Sequence, residues 1–216
     1  MDFGLGYWKG KKINCLGDSI TWGDGNEGVS WVDYLKEAMP KTDIVKYGVC
    51  GSTVCVGNDR DDSFIERMGS MDMDYDVCVI FGGVNDFNQG KPLGEKKDRG
   101  TDTFYGAYRS MVEYLLGKNP KGELVCLTPM RVRDFLDFPH WNTENKAGKR
   151  LIDYRQVILE IAGEYSLPVL DLFLESGISG DIPELKEYIQ KDGLHPTNEG
   201  YLRLTRKIYR FLNMRL

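Results

Sequence analysis

The run VCVIF at residues 77–81 constrains this chain most, because it has no polar side chain on either face of the strand it would form. Successive side chains on a strand point to opposite faces, so such a run must be covered on both. That is the condition of a strand inside a parallel sheet flanked by helices. Four other short runs read as strands, at 12–16, 43–46, 124–127 and 169–170. Between them the apolar period changes from two to 3.6. Residues 30–39 place Trp31, Tyr34, Leu35 and Ala38 on one helical stripe, and 103–116 do the same with Phe104, Ala107, Tyr108, Met111 and Leu115. A longer helix is expected over 146–165. A last one covers 198–212, with Tyr201, Leu204, Ile208 and Leu212 on one side. Strands alternating with helices imply right-handed βαβ units. The expected fold is α/β, a flavodoxin-like doubly wound parallel five-stranded sheet of order 2-1-3-4-5, with the ligand site beyond the carboxyl ends of the strands.

The length, 216 residues, suits one domain over 1–216 with a core of its own. Net charge is -5 with both signs interspersed, and no basic stripe marks a nucleic-acid partner. No apolar run approaches membrane-spanning length, so no integral membrane contact is expected. The opening residues, MDFGLGYWKGKK, lack the pattern of a signal peptide. Of the five cysteines, Cys15, Cys78 and Cys126 lie in apolar runs and read as small buried hydrophobes. Cys50 and Cys55 are close enough to pair only with suitable geometry. Reduced thiols in a cytoplasm are the expectation.

Three connections are long: 86–102, 130–145 and the irregular tract 175–193. The first two leave carboxyl ends of strands and so are expected to rim the site. The alternating carboxylates of MDMDYD (71–76) lack the glycine and later glutamate of a calcium loop, and read as a solvated approach to the third strand. Neither metal nor cofactor is expected.

Histidine is scarce. Only His140 and His195 are present, and His195 follows Asp192 by three residues in DGLH. A carboxylate so placed reaches Nδ1, sets the tautomer and leaves Nε2 to take a proton. The same residues also read locally, as a turn leading into a helix capped by Thr197 or Asn198. Ser19, in INCLGDSITWGDG, sits between a strand and a helix, where a hydroxyl is presented at the carboxyl edge of a sheet. Asp18 and Ser19 read equally as turn or cap residues. Glycine-rich turns follow the second and third strands, YGVCGSTV and FGGVNDF. The Gly51 N–H, the Asn85 amide and the Ser19 N–H would together supply three donors to an oxyanion, which acyl transfer requires.

Taken in order, these segments resemble the SGNH hydrolase superfamily, also called GDSL esterases/lipases. Its first block corresponds to GDSIT (17–21), its second to Gly51, its third to GVND (83–86) and its fifth to DGLH (192–195). The resemblance implies a three-layer α/β/α fold and hydrolysis of esters without a cofactor. It implies Ser19, His195 and Asp192 as catalytic residues, with Ser19, Gly51 and Asn85 around the oxyanion. Two positions depart from the pattern: Ile20 replaces leucine, and Cys50 stands where a small polar residue is usual, beside the oxyanion glycine. Cys50 lacks the strand–turn–helix setting that favours Ser19 as nucleophile. Small carboxylic esters, including acetylated carbohydrate, are the expected substrates. An acyltransferase would use the same acyl-enzyme, whereas a non-catalytic binding module would keep the fold and pocket but typically lose the serine or the histidine, and here every matching position is filled. Candidates for the pocket wall are Asp18, Trp22 and Asp24 around the nucleophile, and Phe135, Phe138, His140 and Trp141 in the fourth-strand loop. Trp22 reads equally as packing, and the loop equally as folded on its own aromatics.

Overall fold

Five parallel strands end in one row, and that row decides where the chemistry-bearing loops begin. The computed structural model describes residues 7–57, 60–131, 139–179 and 181–215. Its strands are β1 (Lys12–Gly17), β2 (Asp43–Gly48), β3 (Val77–Phe81), β4 (Glu123–Leu127) and β5 (Val169–Leu170), in the order β2-β1-β3-β4-β5. The last residues pair across the whole sheet: Gly48 with Gly17, Gly17 with Phe81, Phe81 with Leu127, and Leu127 with Leu170. The doubly wound order expected from the alternation is therefore the one observed. The central run VCVIF is buried throughout, each of its larger side chains contributing about 1.5–3 kcal/mol by leaving water.

Helices cover both faces. In chain order they are α1 (Ser19–Trp22), α2 (Trp31–Ala38), α3 (Phe64–Arg67), α4 (Val84–Gln89), α5 (Phe104–Lys118), α6 (Leu151–Glu164), α7 (Leu172–Glu175) and α8 (Asn198–Arg215). The pair α2 and α8 and the pair α5 and α6 pack together, one pair to each layer. Capping explains where several begin. Ser30 and Asp33 form a reciprocal capping box on α2. Thr197 Oγ1 accepts the Gly200 N–H at 3.2 Å at the head of α8. The expected start of α6 at 146 gives way to Leu151. Asn145 Oδ1 accepts the N–H groups of Ala147 and Lys149, and Gly148 has φ +66°, so residues 145–150 form a turn rather than a first helical turn. The expected loop at 86–102 likewise begins later. Its first residues belong to α4, which runs between Gly83 and Gly90, both left-handed.

Of the carboxylates of 71–76, Asp72 and Asp74 are exposed and Asp76 is half-buried. Asp76 accepts the backbone N–H of Lys12 at 2.8 Å and the Lys11 ammonium at 2.7 Å, and Asp72 pairs with Lys12. They align β1 with the entry to β3. All five cysteines are free; Cys50 is half-buried and the other four are buried. Among the described residues no helix is long and apolar enough to cross a membrane.

Two glycines let α1 sit directly on the strand ends. A Cβ at Gly17 would overlap the Thr21 side chain and approach the Phe81 carbonyl to 3.0 Å. A Cβ at Gly48 would overlap the backbone nitrogen of Trp22 and come within 2.7 Å of its Cα. The second clash is with backbone, which cannot swing aside. Gly48→Ala is therefore expected to destabilise the fold by about 1–3 kcal/mol in urea denaturation. Gly117→Ala, in α5 with open space around the added carbon, is expected to stabilise it by up to about 1 kcal/mol.

Candidate active site

The turn after β1 is built by Asp18. Its Oδ1 accepts the Ile20 N–H at 3.0 Å and its carbonyl accepts from Thr21 and Trp22, which starts α1 immediately at Ser19. Asp18 is buried, and burial pushes its carboxyl up to about 6 against the opposing effects of the Ile20 N–H and the charges of His195 and Arg67. Ser19 is only 3% exposed. Its Oγ lies 2.9 Å from His195 Nε2, across 176 positions of sequence. Lys46, from β2, steadies the segment beyond. Its ammonium donates to the carbonyls of Trp22 (3.1 Å) and Gly28 (2.8 Å) and to Asp33 (2.6 Å).

The histidine is fixed from the other ring nitrogen. Asp192 Oδ2 is 2.6 Å from His195 Nδ1, while Asp192 Oδ1 accepts the backbone N–H groups of Leu194 (2.9 Å) and His195 (3.0 Å). One carboxylate thus orients the ring and shapes the loop that carries it. That loop closes on itself where Gln190 N donates to the His195 carbonyl at 2.7 Å, and it is clamped to the segment after Ser19: Gln190 Nε2 donates to the Gly25 carbonyl at 2.7 Å, and Tyr201 Oη donates to the Asp24 carbonyl at 2.9 Å. Burial pulls the His195 pKa down, but Asp192, Asp24 and Asp18 more than offset this and hold it above the ordinary value of 6.5. Asp192 moves the opposite way. Burial would raise it, yet the His195 ring and the two N–H donors hold it below the usual carboxylate range.

The strand-two and strand-three turns meet beside this pair. Residues 49–52 close a tight turn through Ser52 N and the Val49 carbonyl, with Gly51 at φ +75° in its third position, where glycine is favoured. Asn85 Nδ2 donates to the Ser52 carbonyl at 3.0 Å, and Gln89 Nε2 donates to the Gly51 carbonyl at 3.1 Å. No described group accepts the backbone N–H of Ser19 or of Gly51. Two residues outside the expected set, buried Asp86 and half-buried Arg67, hold these turns. Asp86 accepts the N–H groups of Val54 and Cys55, both at 2.9 Å. Arg67 donates to the carbonyls of Gly17 (2.6 Å), Tyr47 (2.8 Å) and Asp62 (3.0 Å), tying the ends of β1 and β2 to the loop after them. Arg67 carries no sequence signal for this role, because its partners are backbone oxygens distant in the chain.

The expected pocket residues fare unevenly. Asp18 is buried as the cap of α1 and forms no open wall; it bears on the site through its charge near His195. Trp22 is 43% exposed, with its ring over Gly28. Trp141 donates to Asp181 at 2.9 Å and stands edge-on to Phe173 at 5.6 Å, with Arg131 over its ring. His140 lies 3.0 Å from the other oxygen of Asp181. His140 and Trp141 thus anchor to Asp181, and among the described residues no hydrogen bond or ring contact of either reaches the Ser19–His195–Asp192 chain. Phe135 and Phe138 lie outside the described residues. Burial, followed by the charges of Asp24 and Asp18, pushes the Cys50 thiol up. Cys50 is therefore no ready thiolate, and the histidine bonds Ser19. Among the described residues no group of three or more metal-ligating side chains is placed to hold an ion.

The profile of the GDSL-like Lipase/Acylhydrolase family matches residues 15–203. A crystal structure 37% identical in sequence superposes with a TM-score of 0.89, over 94% of this chain and 95% of its own. A protein from Lactobacillus plantarum is 28% identical, with a TM-score of 0.87 over 96% of this chain and 99% of its own. A possible lipase from Chitinophaga pinensis, at 22% identity, shares the fold, with a TM-score of 0.74 over 94% of this chain and 99% of its own. No protein of curated function matches the chain.

The buried Asp18 makes stability depend on pH. Its folded pKa, about 6, lies above the ordinary 3.8. Its contribution to stability is full below 3.8 and is lost as pH rises through about 6. Asp18→Asn keeps an oxygen for the Ile20 N–H. The stability difference between Asp18→Asn and wild type is expected to shift in the variant's favour by about 2–3 kcal/mol between about pH 4 and about pH 8. Urea denaturation at both pH values measures it.

Proposed function

This chain belongs to the GDSL-like lipase/acylhydrolase family, and we propose that it hydrolyses carboxylic esters with Ser19 as nucleophile, His195 as general base and Asp192 as the residue that orients the imidazole. The observation that carries this reading is the unbroken hydrogen-bonded chain from Ser19 Oγ through His195 to Asp192. Serine hydroxyls are weak nucleophiles at neutral pH. A neutral imidazole 2.9 Å away can take the proton as Oγ attacks the ester carbonyl. Asp192, bonded at Nδ1, holds the tautomer that leaves Nε2 basic and stabilises the imidazolium that forms.

Charge then develops on the former carbonyl oxygen. The N–H groups of Ser19 and Gly51 are the backbone donors for it. The Asn85 amide, held by its bond to Ser52, has a second N–H to offer. Such donors act strongly because they are fixed before the reaction begins. The alcohol leaves with the proton from His195. Water then attacks the acyl-serine by the same route in reverse. Ser19 at 3% exposure and Asn85 at 6% favour short acyl groups, so esters of small acids, including those borne on carbohydrate, are the proposed substrates.

Ser19→Ala is expected to lower kcat on p-nitrophenyl acetate by about 10⁶-fold, towards background. Asn85→Ala is expected to lower it by roughly 10²–10³-fold. Near-wild-type turnover by Ser19→Ala would refute the assignment. The base must be neutral to act, so the acid limb of kcat/KM should inflect above 6.5, the ordinary histidine value. Asp192→Asn, which removes the charge that raises His195, should move that inflection down and lower kcat by roughly 10⁴-fold.

A further inference from the structure

A second carboxylate stands on the reactive face of the histidine. Asp24 Oδ2 lies 3.7 Å from His195 Nε2, the nitrogen that bonds Ser19 Oγ, whereas Asp192 bonds the opposite ring nitrogen. Asp24 is held in place through its backbone. Its N–H donates to the Ser19 carbonyl at 3.0 Å, its carbonyl accepts the Tyr201 hydroxyl at 2.9 Å, and the next carbonyl, of Gly25, accepts Gln190. The side chain itself stays 47% exposed. One oxygen accepts the neighbouring Gly25 N–H at 2.9 Å, and, after burial, the charge of the carboxylate helps hold the Cys50 thiol, beside Gly51, up. An ionised carboxylate offers about four acceptor positions, so unused ones remain on this exposed side.

On the proposed mechanism the leaving oxygen must come within about 3 Å of His195 Nε2 to receive its proton. Any group next to that oxygen on the alcohol side then faces Asp24. A hydroxyl on the adjacent carbon can donate to the carboxylate, a charge-assisted bond stronger than one between neutral groups. An ether at the same place has no proton to give and leaves the carboxylate unmatched. We infer that Asp24 is a specificity-determining residue that accepts a hydrogen bond from a hydroxyl vicinal to the esterified oxygen, selecting monoesters of vicinal diols and polyols. This rests on the reading that His195 delivers the proton to the leaving alcohol.

Three acetates on one two-carbon scaffold test it: 2-hydroxyethyl acetate, 2-methoxyethyl acetate and acetylcholine. The wild-type chain is expected to prefer the hydroxyethyl over the methoxyethyl ester by at least about tenfold in kcat/KM. Asp24→Ala should collapse that ratio towards one. Asp24→Asn, which keeps an acceptor oxygen and the Gly25 contact, should retain part of it. A wild-type ratio near one, or a ratio unchanged in Asp24→Ala, overturns the inference. So does a preference for acetylcholine that matches the preference for the hydroxyethyl ester, since the carboxylate would then act as a charge and not as an acceptor. Wild-type turnover of p-nitrophenyl acetate, whose leaving group has no vicinal hydroxyl, reports separately on the parent mechanism. If that turnover is absent, the ester hydrolase reading and this inference fall together.

Discussion

The close seat of α1 on the ends of β1 and β2 is the contact on which the rest of the site depends. Gly17 and Gly48 pair with each other at the end of the sheet, and neither has room for a side chain. Their bareness lets the helix begin one residue after Asp18, with no intervening loop to blur the position of Ser19. Arg67 and Lys46 then fasten the same corner through backbone carbonyls, one from each side. A hydroxyl held this way, in the proposed role of nucleophile, loses little freedom on meeting its histidine, because its backbone was ordered by folding. Pre-organisation of this kind is what makes fixed donors and acceptors effective in catalysis.

Electrostatics around His195 serve two ends that pull apart with pH. Three carboxylates, Asp192, Asp24 and Asp18, raise its pKa against the effect of burial. A histidine whose folded pKa is raised stabilises the fold fully below its unfolded value, and that contribution is lost as pH rises through the folded value. The proposed chemistry needs the neutral ring, which dominates above that value. The charge cluster therefore favours the folded chain where the base is idle, and the working form of the site gives up part of that stabilisation. Asp18 adds to the same trend, since its buried carboxyl is easier to keep at low pH.

How much was legible in the sequence differs by the range of the interaction that decides each feature. Short-range signals read well. The period-3.6 stripes of α2, α5 and α8 place those helices within a few residues. Asp192 was legible for the same reason, being three residues from the histidine it bonds. Features set by distant partners read poorly. The start of α6 is decided by Asn145, whose amide also reaches the Phe87 carbonyl and Tyr154. Asp18 reads as a turn or cap residue in its own stretch, and its burial comes only with the packing of α1 on the strand ends. Trp141 sits in a stretch that suggests a pocket wall, yet Asp181 and Phe173, from another part of the chain, hold it in a cluster of its own.

The sequence by itself determined the alternation of strands and helices, the doubly wound order expected of the sheet and the set of residues proposed for acyl chemistry. The alternation follows from side-chain periodicity and His195 stands out by the scarcity of histidine, both of which can be counted along a chain. The sheet order follows from the doubly wound pattern such alternation implies, and the grouping of Ser19, Gly51, Asn85 and Asp192 with His195 is what the resemblance of the ordered segments implies. Only the tertiary structure decided that Ser19 and His195 meet at 2.9 Å, that Asp24 shares the reactive face of the ring, and that Asp86 and Arg67 carry the turns around them. The physical reason is register. A one-residue slip between β1 and β3, or a side chain at Gly48, leaves every motif intact and still moves the hydroxyl away from the imidazole, because a hydrogen bond tolerates only a few tenths of an ångström.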